Sequence, residues 1–163
     1  MQARINNPVM SIPGALDGIR DFAMSARTTG VPAETTALIE LRVSQINGCS
    51  VCADIHSREL EALGCSSERM HTLAAWREAP YFSDEERAAL ALAEAATRLA
   101  DRPDAVSDEI WDEAARHYSE QQLAGLVVTI AAINAFNRVN ATTRQPTGPW
   151  VAQLVEQTMT ANA

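Results

Sequence analysis

Glu40-Leu41-Arg42-Val43-Ser44-Gln45-Ile46-Asn47-Gly48-Cys49-Ser50-Val51-Cys52-Ala53-Asp54-Ile55-His56 decides how this chain is read. Its first half is helical: Leu38, Leu41 and Ile46 recur at helical spacing, and Pro32 stands where a first-turn proline is tolerated. Asn47-Gly48 is a stop signal, because glycine adopts the left-handed conformation that ends a helix without steric cost. A new helix then starts at about Cys49. With about 100° of turn per residue, Cys49 and Cys52 lie about 60° apart on one face. His56 falls one turn beyond Cys52 on that face, where an imidazole can take the thiol proton or hydrogen-bond the thiolate.

The stop places both cysteines in a first helical turn, where unpaired N–H groups and the helix dipole favour an anion. A free thiol has a pKa of about 8.5, and such surroundings lower it to roughly 3.5–7.5. A thiolate is the nucleophile of peroxide reduction and of disulfide exchange alike. Nucleophile, base and resolving thiol thus sit between Cys49 and His56. Two blander readings compete. One is a chance C-x-x-C with both thiols simply buried. The other is zinc held by Cys49, Cys52 and His56, which needs a fourth ligand from His71, His117, Cys65 or a carboxylate. No second C-x-x-C or H-x-x-x-H supplies that ligand, and neither metal nor cofactor is expected.

Working outward, Leu16, Ile19, Phe22 and Ala23 give a helix from Gly14 to Arg27, preceded by an irregular Asn7–Pro13. The Cys49 helix runs to Leu63 before Gly64. Ser66 or Ser67 caps a short helix through His71 and Trp76. Ser83-Asp84-Glu85-Glu86 and Ser119-Glu120-Gln121-Gln122 are capping boxes, opening helices to Ala100 and Val139; Ser107 starts another, to about Tyr118. A short tail helix follows from Val151. No repeat or composition shift marks a second domain. The expectation is an all-α, single-domain bundle of about seven helices over residues 1–163.

Alanine and leucine dominate while aromatics are scarce, which supports the all-α class. The net charge of −8 and the absence of a basic patch along the sequence argue against nucleic acid. No stretch approaches the roughly 20 uninterrupted apolar residues of a bilayer span. The N-terminus lacks an apolar signal core, so a cytoplasmic protein with no membrane partner is expected. Three clustered cysteines in a reducing compartment point to catalysis or metal rather than to a disulfide scaffold.

The run Leu41 to His56 resembles the core motif of the alkylhydroperoxidase D-like, or carboxymuconolactone decarboxylase-like, family almost position by position. Trp76-Arg77-Glu78-Ala79-Pro80-Tyr81-Phe82-Ser83, Ala89 to Ala95 and Ile133-Asn134-Ala135-Phe136-Asn137-Arg138 look like it too, so the resemblance spans roughly residues 12–150. It implies an all-α fold, trimers or hexamers, and antioxidant peroxidase activity recycled by a dithiol protein or lipoyl-type reductant. By that pattern Cys52 attacks the hydroperoxide, Cys49 resolves it as a disulfide, and His56 belongs to the proton relay. The family's relay glutamate, twelve residues before the first cysteine, falls on Ala37 here. Glu34 and Glu40, one turn to either side, are the imperfect substitutes available, though a surface-facing helix carboxylate is the favoured reading of both. The decarboxylase branch lacks the cysteine pair, so a decarboxylase acting on a small cyclic acid stands second, beside a non-catalytic oligomeric redox sensor.

Cys65, His71 and His117 read as ordinary structural or solvated residues, and Trp76, Trp111 and Trp150 as packing or subunit-contact groups. Asn134 and Asn137 continue the stripe Leu123, Leu126, Val127, Ile130 toward the core or an interface. There their amides must be hydrogen-bonded, tying helix ends or subunits together.

Overall fold

Cap after cap in the sequence is realised as a helix start. The computed structural model describes residues 2–101 and 103–161, and among them lie nine α-helices and no strand. They are α1 (Pro8–Ser11), α2 (Ala15–Ala26), α3 (Ala33–Asn47), α4 (Ser50–Ala62), α5 (Ser67–Thr72), α6 (Asp84–Thr97), α7 (Asp108–His117), α8 (Glu120–Thr143) and α9 (Trp150–Ala161). Leu73–Ala75 and Leu99–Asp101 form 3-10 turns. Both capping boxes are made in full: the Ser83 and Ser119 hydroxyls accept from the N–H of Glu86 and Gln122, whose side chains accept from Ser83 and Ser119 N–H in return.

Helix α3 is the axis of the bundle. Thr35 through Leu41 are all buried, so this helix has no solvent face along that run. One side packs Ile39 and Val43 against Cys49, Val51 and Cys52 of α4, Leu92 of α6, and Leu126, Ile130 and Ile133 of α8. The other packs Ala37, Leu38 and Leu41 against Leu60, Leu73, Trp76, Phe82 and Leu90. Each fully buried leucine is worth about 1.5–3 kcal/mol against exposure, and truncating Leu38 to alanine costs about 2–5 kcal/mol. Gly125 is the point of closest approach to the segment after α2, since a Cβ there would lie 2.1 Å from the Thr29 hydroxyl.

The helix count exceeds the expected seven for local reasons. Asn7 caps a single turn where irregular chain was expected, its Oδ1 accepting from Val9 N–H at 3.2 Å with Pro8 in the first helical position. The tail becomes a three-turn helix because Val151 and Val155 find burial, with α9 lying on α4. Helix α8 continues past Val139 to Thr143, since Asn140 is received by polar partners instead of ending the helix. Val127, expected on the buried stripe, is exposed. By length and composition α8 could cross a bilayer, yet here it packs against α2, α3 and α6, with Asn134, Asn137 and Asn140 buried.

Candidate active site

The α3–α4 joint positions the thiols. Gly48 takes φ +67°, and the N–H groups of Gly48 and Cys49 close back on the carbonyls of Gln45 (3.4 Å) and Ser44 (3.0 Å), satisfying the end of α3. Cys49 then leaves in extended geometry as the N-cap of α4. Its Sγ accepts from the Cys52 N–H at 3.4 Å, the position a serine hydroxyl fills in the capping boxes. Cys49 and Cys52 are both free thiols, both buried, and joined by that Cys52 N–H to Cys49 Sγ bond. The intrahelical pairing expected from the spacing is thus assembled, one position earlier in the helix than a first-turn residue.

The two thiols are not equivalent. Cys49 is pulled down to about 7, first by the Cys52 S–H and then by the Cys52 backbone N–H and the amides of Asn137 and Asn140, against burial. Cys52 is pushed up, first by sharing its proton with Cys49 and then by burial, with Asn140 and Asn137 opposing. The lowered pKa thus lies with Cys49, the helix cap, and the raised one with Cys52. Proton sharing makes the pair one titrating unit.

His56 turns to carboxylates. Its Nδ1 lies 2.7 Å from Glu59 Oε2 and 3.5 Å from Glu40 Oε2, and no direct hydrogen bond joins it to Cys52. Burial pushes the imidazole down, but the charge of Glu40 and the bond to Glu59 outweigh it and raise its pKa. Arg27 donates to Glu40 at 2.9 Å. Burial lifts the Glu40 pKa despite His56 and Arg27, while Glu59, also opposed by burial, is held low by its bond to His56. Glu40 is thus no surface carboxylate: it is buried because α3 is enclosed on every side. Glu34 stays at the rim, 3.3 Å from Arg69 Nε. Glu59 escaped the sequence reading, although its i+3 spacing from His56 was the available signal.

A belt of amides joins α8 to this joint. Asn47 donates to Asn134 (2.9 Å) and Asn137 (3.0 Å), Asn137 donates to the Ser44 hydroxyl (3.1 Å), and Asn134 donates to Thr97 (3.1 Å). Asn134 and Asn137 accordingly tie helix ends within one chain. Asn140, one turn beyond Asn137 and missed from the sequence, points Nδ2 at the Cys52 sulfur at 3.4 Å. Next to Asn47 opens a cavity of about 440 Å³ lined by Thr97, Arg98 and Arg138.

Glu40, His56 and Glu59 bring their ligand atoms within 4.8 Å of one another, the only such set among the described residues. Neither cysteine belongs to it, so the four-ligand zinc arrangement is not assembled there. Its two carboxylates are met by Arg27 and a protonatable His56, which balances charge without an ion. Cys65 lies apart, in the other apolar cluster, its pKa raised by burial and by the neighbouring Glu34. Arg42 (2.6 Å), Arg77 (2.6 Å) and Arg98 (3.8 Å) converge on buried Glu94, with Trp76 Nε1 at 3.1 Å.

The sequence profile of the carboxymuconolactone decarboxylase family matches residues 13–95. The uncharacterized protein YdfG of Bacillus subtilis strain 168 is 34% identical over 128 residues, covering 78% of this chain and 86% of YdfG. A 43-residue stretch, 26% of this chain and 24% of the relative, is 46% identical to the alkyl hydroperoxide reductase AhpD of Bradyrhizobium diazoefficiens. In three dimensions the chain is similar to an Agrobacterium tumefaciens protein of unknown function, suggested to be the antioxidant defence protein AhpD. That match has a TM-score of 0.84 and 29% identity, over 90% of this chain and 99% of that one. The apo debrominase Bmp8 shares the fold at TM-score 0.74 and 22% identity, over 88% and 76% of the two chains.

Proposed function

The chain belongs to the carboxymuconolactone decarboxylase family, and from that membership we propose that it is a thiol-dependent oxidoreductase reducing hydroperoxides through a Cys49–Cys52 disulfide cycle. One observation carries the reading: two free, buried cysteines at the start of α4, each with a sulfur that accepts from an N–H, Cys52 N–H on Cys49 and Asn140 Nδ2 on Cys52. Donors aimed at a sulfur in a low-dielectric site stabilise a thiolate without reorganisation.

In the proposed cycle the shared proton passes from Cys52 to Cys49, and the Cys52 thiolate attacks the distal oxygen of the hydroperoxide. The O–O bond breaks, leaving a sulfenic acid on Cys52, and the departing alkoxide takes a proton from the protonated His56. Cys49 then attacks the sulfenic sulfur; its proton and the sulfenic hydroxyl leave as water and the disulfide forms. The peroxide has gained two electrons and the pair has lost two. A dithiol protein or lipoyl-type reductant restores the thiols by exchange. His56, which makes no direct hydrogen bond to Cys52, serves the leaving oxygen, with Glu59 and Glu40 fixing its Nδ1 side.

The test is stopped-flow peroxide consumption with a dithiol reductant, paired with thiol counting. One free thiol after oxidation and three after reduction is the expected result. A pair that stays reduced under peroxide while Cys65 disappears sinks the proposal.

A further inference from the structure

Asn7 lies outside the stretch matched by the family profile, yet it is wired to the thiols. Its amide has no freedom to turn over. As N-cap of α1, Oδ1 is committed to the Val9 N–H at 3.2 Å, which leaves Nδ2 as the group facing Asn140. That Nδ2 donates to Asn140 Oδ1 at 3.1 Å. With its oxygen so engaged, Asn140 presents Nδ2 to the Cys52 sulfur at 3.4 Å. An amide turned the other way would set a carbonyl oxygen against that sulfur, an acceptor that disfavours a thiolate.

The segment carrying Asn7 is itself pinned to the end of α8. Arg4 N–H donates to the Thr143 carbonyl (2.9 Å), the Arg4 guanidinium to the Thr142 carbonyl (3.0 Å), and Gln145 Nε2 to the Ile5 carbonyl (3.1 Å). The latch holds Asn7 opposite Asn140, at the buried end of α8 that looks onto α4.

We propose that Asn7 is a positioning residue for the redox pair: through Asn140, whose orientation it fixes, the capped N-terminal turn aims an amide N–H at Sγ of Cys52. The inference rests on the redox reading of the pair, but its test uses no peroxide. Titration of reduced protein therefore separates its failure from failure of the peroxidase reading.

The experiment titrates Cys52 alone, by ultraviolet thiolate absorbance against pH, in a Cys49→Ser, Cys65→Ala background whose serine keeps the α4 cap. Asn7→Asp retains the α1 cap but offers only acceptors, so Asn140 must turn its Nδ2 toward position 7 and its oxygen toward the sulfur. The Cys52 thiolate fraction at fixed pH should fall about tenfold. Asn7→Ser, which also caps but leaves Asn140 free to turn, should lower it about threefold, with no added charge. His56, backed by Glu40, Glu59 and Arg27, is the charged group on the thiol side, and none of these hydrogen-bonds to Asn7 or Asn140. In an Asn140→Ala background the Asn7→Asp effect should shrink to less than about twofold. An undiminished effect there means through-space charge alone and overturns the inference, as does an Asn7→Asp titration equal to the parent. If Asn7→Asp fails to fold by circular dichroism, an unshifted Asn7→Ser overturns it equally.

Discussion

Nδ1 of His56 lies 2.7 Å from Oε2 of Glu59, three residues further along α4, with Glu40 from α3 on its other side. An imidazole buried there alone would resist protonation, but two carboxylates reverse the balance and raise its pKa. Because the folded value exceeds the ordinary one of about 6.5, its stabilisation is complete below that pH. It is lost as pH rises through the folded pKa. Glu59 has the opposite sign: its folded pKa is depressed, so its contribution is present above the ordinary carboxylate value and lost on acidification. Urea unfolding should therefore show Glu59→Gln less stable than the parent by about 1.5–3 kcal/mol near pH 6, with the gap closing toward alkaline pH. A gap that does not depend on pH contradicts the assignment.

The shared proton makes a second prediction. Cys49 owes its low pKa first to the Cys52 S–H, so Cys52→Ala, which removes that donor, should raise the first thiol pKa above about 7 although the α4 cap is intact. In the proposed cycle the same variant consumes no peroxide, whereas Cys49→Ser reacts once and holds a trappable sulfenic acid on Cys52. Sulfenate labelling on Cys49 in Cys52→Ala would reverse the two roles, giving attack to the thiol of lowered pKa.

Glu94 gathers Arg42, Arg77 and the Trp76 indole, and Arg42 is only 12% exposed in its side chain. Removing the carboxylate leaves a nearly buried guanidinium without its partner. Glu94→Ala should cost about 3–5 kcal/mol of unfolding free energy, whereas Arg77→Ala, at the exposed rim, should cost about 1 kcal/mol or less. Equal losses in the two variants would show that the cage is not centred on Arg42 and Trp76.

Assembly is tested on the exposed apolar side chains. Met10, Ile12, Phe22 and Met24 are exposed on α1, α2 and the chain between them, and α2 buries only Ala26. Exposed apolar side chains of this size are covered in a closed homo-oligomer, the state the sequence resemblance implies. Light scattering at micromolar concentration should give a multiple of the chain mass, and Phe22→Asp should reduce it. A monomeric parent protein ends that expectation.

Much of this was legible because it is local. The Asn47-Gly48 stop, the two capping boxes and the phase of Cys49, Cys52 and His56 depend on neighbours within one or two turns, where a sequence speaks directly. Partners from other helices do not write themselves that way. Glu40 looked exposed because a helix was assumed to keep one wet face, and α3 has none through its first half. Asn140 and Asn7 stand 133 positions apart, and only the docking of the N-terminal turn on α8 joins them. Arginines scattered from position 42 to 98 become a cage once α3 and α6 pack.

Position 37 is where the sequence and the structure diverge in consequence. The resemblance places a relay glutamate there, where this chain has Ala37. Ala37 is fully buried in the apolar cluster of Leu38, Leu41, Leu60 and Leu73, while Arg27 is already engaged by Glu40. A glutamate at 37 must either overfill that cluster, at about 1–3 kcal/mol, or carry an unpaired charge through it at greater cost. Ala37→Glu should therefore destabilise the protein by about 3–5 kcal/mol and leave peroxide consumption at neutral pH no faster than the parent. The carboxylate that matters to His56 from α3 is Glu40, so Glu40→Gln should lower the His56 pKa and slow turnover even in a fully folded sample. Adding Ala37→Glu to Glu40→Gln should not recover the loss, because position 37, one turn before Glu40, is packed in the apolar cluster of Leu60 and Leu73. The measurements are urea unfolding, the histidine titration by NMR, and peroxide consumption against pH for the parent, both single variants and the double. A stable Ala37→Glu protein that consumes peroxide faster would return the relay to position 37 and leave Glu40 as a structural partner of Arg27.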